Sequence, residues 1–388
     1  MFSPNNVDIE ILSARAYNLR WATLPKGVIP LTAADPDFPV AAPIQKALKN
    51  YIDGGYLSYG PAEGLPQFKE AVAKDYKIKN EVTYDSNCIL PVDSAAFGIY
   101  LCCKTLLKPG DEVIIFDPVD FLFKYAAEQV GAKTITYHTP QKDDAFDFNE
   151  LSSLISSKTK MICLCNPLNP TGKVFTRSEL LSLAEVVAKH KDLIVLSDEI
   201  WSDIIFSPNT FNSFASIGPV FDQTITVTGY SKSYGLAGLR IGSVLCPNKK
   251  IFDQILESSL HQSTVHGANV LGQIAATAAL NDAQVWLSSF VEHLHSMRNL
   301  AVQRLNEMPG VHCKSPEGCY VLFPDISQTP YSASELHKHL LDKAKVAVVP
   351  GLPKWFGSAA EGHIRLSFAT SEELLTEALD RIHKFLDQ

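Results

Sequence analysis

Short apolar runs alternate with amphipathic stretches through the middle of the chain. DEVIIF (111–116), KMICLC (160–165), DLIVLSD (192–198) and TITVTG (224–229) are apolar, β-branched runs of strand length. Between them, SELLSLAEVVAKH (178–190) repeats its apolar residues at helical spacing. Such alternation predicts an α/β fold with a mostly parallel sheet between helices. Sheets of this kind bind ligands at the carboxyl ends of their strands, so residues just after each run are candidates for chemistry. The pattern changes near Val285. A long amphipathic segment covers Ala283 to Met308, followed by strand-like YVLFPDI (320–326), helix-like SASELHKHLLDKA (332–344), strand-like VAVVP (346–350) and HIRLSF (363–368), and a closing helix. The expectation is a large domain over 46–282 and a smaller α+β domain over 283–388. The N-terminal segment 1–45 is expected to pack with the smaller domain, and the cleft between domains to take a small molecule.

Composition narrows the class without changing this picture. A chain of 388 residues can build two lobes, and 46% apolar with 20% charged residues is ordinary for a globular protein. A net charge of −8 gives no electrostatic case for nucleic acid or an anionic membrane. No apolar run reaches the length of a membrane span, and MFSPNNVDIE lacks the basic-then-apolar pattern of a leader, so a cytoplasmic protein is expected. Cys102 and Cys103 are adjacent, and Cys163 and Cys165 alternate inside a strand-like run, which suits small buried hydrophobes in a reducing compartment. No paired CxxC occurs. His293/His295 and His337/His339 are spaced by two on helical patterns and diverge, so no metal site is expected.

Four segments carry candidate chemistry. In TGYSKSYGLAGLRIG (228–242), Lys232 follows a strand within small, Gly-rich sequence. A lysine amine there can attack an aldehyde and shuttle a proton, and Arg240, eight residues on, can hold a phosphate with its planar fork. The plainer reading of any one lysine is a solvated surface group; the neighbours argue otherwise. NPLNPTG (166–172) ends a strand in a rigid loop, where the Asn169 amide can donate to a phenolic oxygen or simply make a turn. Asp198 ends the apolar strand DLIVLS, so it is either a helix cap or a buried carboxylate requiring a cation such as a protonated pyridine. Arg365 interrupts the apolar strand HIRLSF, and calls for an anion, either a structural carboxylate or a substrate's.

Together these segments resemble the fold-type-I pyridoxal-5′-phosphate (PLP) enzymes, specifically the class I/II aminotransferases, over nearly the whole chain and in the same order. GVIPLTAADPDFPVAAPIQKAL (27–48) is most similar to the cystathionine β-lyase subgroup of MalY/PatB type. The resemblance implies a seven-stranded, mostly parallel sheet in the large domain and PLP as cofactor. It implies that Lys232 forms the Schiff base, Asp198 pairs with the pyridine nitrogen, Asn169 lies beside the phenolic oxygen, and Arg240 holds phosphate. It assigns the substrate carboxylate to Arg365 with Asn169. PVDSAAFGIYLCCKTLLKPGDEVI (91–114) resembles the loop and helix start that cradle the phosphate, placing Ser94, Ala95 and Ala96 there. SYGPAEGLPQFKEAVA (58–73) resembles the segment whose tyrosine, here Tyr59, reaches the partner subunit's cofactor, which implies a homodimer.

Three positions depart from the family. The aromatic residue that usually stacks on the ring is replaced by Asp120, so either Phe121 stacks instead or an acid faces the ring. Gly229 stands where a phosphate-binding Ser is common, and Trp201 where a Tyr, or His in the lyases, is common; an indole N–H can donate to the phenolic oxygen but cannot ionise. The resemblance implies an aminotransferase acting on an amino acid and a 2-oxo acid. A carbon–sulfur β-lyase using the same residues is the alternative, and a non-catalytic PLP-fold protein the remote one, disfavoured by the retained Lys232, Asp198, Asn169 and Arg365. Asp120, facing the pocket, would favour a cationic substrate side chain.

Overall fold

The computed structural model describes residues 2, 7–140 and 146–388. Twelve strands form among them. In chain order they are β1 (Ile29–Pro30), β2 (Ile89–Val92), β3 (Glu112–Asp117), β4 (Lys133–His138), β5 (Thr159–Cys165) and β6 (Ile194–Asp198). Then come β7 (Thr224–Gly229), β8 (Gly242–Leu245), β9 (Val321–Leu322), β10 (Val346–Ala347), β11 (Val349–Pro350) and β12 (Ile364–Ser367). Seven of them make one sheet in the order β2-β8-β7-β6-β5-β3-β4, in which only β8 runs against its neighbours. The four long central runs read from sequence are β3, β5, β6 and β7, and they bury nearly every residue, as strands covered on both faces must.

The register sets the chemistry. Cys165 lies opposite Asp198, and Asp198 opposite Val227, so β5, β6 and β7 end side by side. Gly229 lies opposite Gly242 at the same edge. The helix Ala95–Leu106 packs on this sheet, carrying Ile99, Cys102 and Cys103 into the core. All eight cysteines are free and buried, as small hydrophobes.

A second core joins the two ends of the chain. It contains Ile29, Leu31 and Phe38 near the start, Phe290 and Leu294 on the helix Gln284–Asn306, and Leu366, Phe368 and Leu379 near the end. The run VAVVP, read as one strand, divides at Val348: β10 pairs with β1 in parallel, and β11 pairs with β12 in a three-stranded sheet ordered β11-β12-β9. The segment Leu340–Ala344 continues the helix Ala333–His339 as a wider π turn. Among the described residues no helix is long and apolar enough to cross a membrane.

Candidate active site

Lys232 sits on a one-turn helix, Ser231–Tyr234, immediately past β7, and Gly235 ends that turn with a φ of +71°. Its Nζ donates to the Ala34 carbonyl at 2.6 Å and stands 5.3 Å from the centroid of the Trp201 ring. Burial pulls the amine's pKa down, Asp35 opposes that shift, and Arg365 adds to it. Trp201 is itself buried and set edge-on against Tyr320, at 4.7 Å between centroids. The Tyr320 hydroxyl donates to the same Ala34 carbonyl at 3.2 Å. That carbonyl is held in place from behind. Arg20 donates to the Ala33 carbonyl at 2.9 Å and forms a buried ion pair with Asp37, which also accepts from the Trp21 indole at 2.8 Å.

Asp198, the last residue of β6, is buried, and its Oδ1 accepts the Ile200 N–H at 3.1 Å. Burial pushes its carboxyl up to about 7, the Ile200 N–H pulls it back, Asp120 pushes it further and Lys232 opposes. No salt bridge among the described residues reaches it. From β5 the chain passes through Asn166–Pro167 and Asn169–Pro170, both cis, which brings Asn169 to the same end of the sheet. Asn169 donates from Nδ2 to Asp120 at 2.9 Å, and its Oδ1 accepts from Arg365 Nη1 at 3.3 Å.

Arg365 comes from β12 and points into the protein. Its Nη2 donates to the Thr32 carbonyl at 3.3 Å and its guanidinium lies 5.1 Å over the Phe356 ring. Its Nε is buried without a partner. A buried guanidinium held mainly by neutral oxygens retains donors for an anion. Asp120 is its nearest acid; burial pushes that carboxyl up and Arg365 opposes the shift most strongly.

The third component is the start of the helix Ala95–Leu106. Ser94 caps it, accepting the Phe97 N–H at 3.0 Å, and the amides of Ala95 and Ala96 have no acceptor within the helix by position. A Cβ on Gly242 would lie 2.6 Å from the Ala95 nitrogen, so only glycine lets β8 pass directly beneath this start. A Cβ on Gly229 would touch Ile200 at 3.2 Å and Ala95 at 3.4 Å, which ties the strand leading to Lys232 to both other components.

Some candidates stand apart from this cluster. Phe121, one of the two residues read as facing the ring, does not join it. Its N–H donates to the Trp355 carbonyl at 2.9 Å and its half-exposed ring packs edge-on against Trp355, so Asp120 is the neighbour that faces inward. Arg240 is exposed with a φ of +49°, and its Nη1 contacts its own loop at the Ala237 carbonyl, 3.3 Å away. Tyr59 is 87% exposed, with its ring 5.2 Å from that of His266. The carbonyls of Thr32 and Ala34, with Asp35, Tyr320 and Phe356, contribute to the site without a distinct motif. The signal for the first three was TAADPDF (32–38), an acidic, proline-bearing break after an apolar run, inside the segment 27–48 noted above.

The charges around the cluster form one pattern: anion-binding amides at the helix start, a buried carboxyl at Asp198 with no ion pair among the described residues, and a guanidinium with a free donor at Arg365. Pyridoxal phosphate with an amino acid offers the complementary phosphate, pyridine nitrogen and carboxylate, so these residues fit it. Residues 26–382 match the family profile of aminotransferase class I and II. The chain is 34% identical over 365 residues to an aspartate aminotransferase of Pyrococcus abyssi (strain GE5 / Orsay), covering 93% of this chain and 92% of that protein. It is similar in structure to an aromatic aminotransferase from Pyrococcus horikoshii OT3, with a TM-score of 0.87 and 32% identity over 94% of this chain and 96% of that one. Cystalysin from Treponema denticola, whose structure contains a pyridoxal 5′-phosphate cofactor, gives a TM-score of 0.89 with 25% identity and 97% coverage of each chain.

Proposed function

We propose residue roles from one premise: the chain belongs to the class I and II aminotransferases. It is a PLP-dependent aminotransferase, moving an amino group between an amino acid and a 2-oxo acid. Bound in the site, PLP supplies an aldehyde for the substrate amine and a ring that accepts the electrons left when the α-proton departs.

Lys232 is the nucleophile that anchors the cofactor and the base that moves the α-proton. Burial favours its neutral amine, the form both tasks need. The Ala34 carbonyl and the Trp201 face orient that amine. Asp198 holds the ring nitrogen as a cation; a carboxyl near 7 when unaccompanied ionises readily beside a positive charge. Arg365 takes the substrate α-carboxylate, and Asn169 supports it while its second amide hydrogen serves the phenolic oxygen. Trp201 lines the same face. Ser94, Ala95 and Ala96 would hold the phosphate at their helix start, and Arg240, exposed on its loop, would supply a guanidinium to it. Phe121 has no role here, because its ring lies outside the cluster.

Tyr59 is exposed in the single chain, which supports a homodimer in which it serves the partner's site. Full activity of a monomer at high dilution would overturn this. We read 46–282 as the cofactor-binding domain, 283–388 as the smaller domain, and 1–45 as its N-terminal partner; limited proteolysis tests those limits. The buried free cysteines support a reducing, cytoplasmic location, which cell fractionation checks.

The observation that carries the mechanism is an amine just past β7, held by the Ala34 carbonyl at 2.6 Å, in the same cluster as a buried arginine whose Nε has no partner. The test is spectroscopic. The PLP-loaded enzyme should lose its visible band with an amino acid and regain it with a 2-oxo acid, and Lys232→Ala should slow turnover by at least roughly 10³-fold. Continuous release of pyruvate and ammonia from cystathionine would make the lyase alternative the main activity. A Lys232→Ala variant of unchanged activity would refute the assignment.

A further inference from the structure

We propose that Asp120 is a positioning residue that, through Asn169, aims Arg365 at the substrate carboxylate. The proposal rests on Arg365 as the carboxylate site. A carboxylate only accepts hydrogen bonds and a guanidinium only donates them, whereas an amide has one end of each kind. Asn169 lies between the two. With Nδ2 at 2.9 Å from Asp120 and Oδ1 at 3.3 Å from Arg365, both of its ends are matched. The flipped amide would set its carbonyl against the carboxylate and its NH2 against the guanidinium, two repulsions in a buried place. Asp120 therefore leaves Asn169 one orientation, and that orientation offers Arg365 an acceptor.

The relay is held at its far end. Asp120 Oδ1 accepts the Leu122 N–H at 3.3 Å, and the Asp120 N–H donates to the Asn169 carbonyl at 3.1 Å, so the two loops are tied by backbone as well as side chain. Arg365 has few other restraints: the Thr32 carbonyl, the Phe356 face, and an Nε without a partner. Losing the Asn169 contact leaves Nη1 without its acceptor, with the Thr32 carbonyl, among the described residues, as the one acceptor to hold the fork. The same geometry revises the expectation that Asp120 selects a cationic substrate side chain. Both its oxygens already accept from the protein, Oδ1 from the Leu122 N–H and Oδ2 from the Asn169 amide. A phenylalanine at this position would provide no acceptor for the Asn169 amide in the plane of its ring.

Binding of succinate and of 3-phenylpropionate, which carry a carboxylate without the amine, tests this by calorimetry on the PLP-loaded enzyme. Asp120→Ala should weaken Kd by roughly 10–100-fold, the scale of a misplaced positioning group. Asp120→Asn, whose carbonyl accepts the same N–H, should restore most of that loss. Asn169→Ala should lose as much as Asp120→Ala, and the double variant no more than Asn169→Ala alone, because the two act in one chain. Asp120→Leu keeps the branched shape of the carboxylate without an acceptor, Asp120→Phe adds bulk without one, and either gives the same reading should the alanine variant not fold. Unchanged binding in Asp120→Ala and Asp120→Phe, or losses that multiply in the double variant, would overturn the proposal. Arg365→Ala separates the two levels. If it keeps its affinity, the carboxylate site itself is wrong; if it alone loses affinity, only the positioning role is.

Discussion

Asp198 and Glu199 are consecutive residues, both buried, and burial pushes both carboxyls up to about 7. Their partners separate them. Glu199 accepts from the Ser197 hydroxyl at 2.9 Å, the Ser213 hydroxyl at 2.8 Å, the Phe214 N–H at 3.3 Å and the Tyr76 hydroxyl at 3.3 Å. Asp198 accepts one backbone N–H, and its charged neighbours are Asp120 and Lys232. A shifted carboxyl thus marks a functional site only where the protein leaves its donors unprovided; four donors make Glu199 part of the scaffold.

The largest test of that contrast is Asp198→Asn, which keeps the shape and removes the charge. We expect kcat to fall by about 10²–10³-fold, as for other single electrostatic groups in an active site. The cofactor-free variant should also resist urea better than wild type above pH 7, since a buried charge is gone. Unchanged turnover would place Asp198 beside Glu199 as scaffold. Next in size is Glu199→Ala, which strands the hydroxyls of Ser197, Ser213 and Tyr76. Urea unfolding should show a loss of about 3–5 kcal/mol with turnover of the folded enzyme little changed. A stable but inactive variant would move Glu199 into the mechanism. The smallest effect is in pH. Glu199 is raised from 4.5 to about 7 in the folded protein, so its stabilisation is complete below pH 4.5 and is lost as pH rises through 7. Wild type should lose at most about 3 kcal/mol relative to Glu199→Gln across that window. A difference that stays flat with pH would show that Glu199 is ionised throughout.

The sequence pattern made the central strands legible because a strand buried on both faces leaves a continuous apolar run. TITVTG coincides with β7, and KMICLC and DLIVLSD lie within a residue or two of β5 and β6. Lys232, Asp198 and Asn169 were legible for the same reason, being polar breaks directly after those runs. The small strands were less so: two-residue pairings such as β1 with β10 have no period to read. The choice between Asp120 and Phe121 was hidden for another reason. In an irregular loop the direction of a side chain is set by partners far along the chain, here the carbonyls of Asn169 and Trp355. Backbone acceptors such as Ala34 leave no signal in their own residue type, only in the break around them, since any amino acid in the same backbone conformation would supply the same oxygen.

Those carbonyls have a consequence for how the enzyme is made. Thr32 and Ala34 are synthesised early, yet the donor to Thr32 is Arg365, and the strand beside them, β10, begins at Val346. About 330 residues must leave the ribosome between Thr32 and Arg365, which takes roughly 15–65 s at ordinary elongation rates. A nascent chain that has passed Leu245 holds every strand of the seven-stranded sheet, with Lys232 and Asp198, but not yet Arg365. On the roles proposed above, the residues that would anchor the cofactor are therefore made before the arginine that would choose what reacts with it.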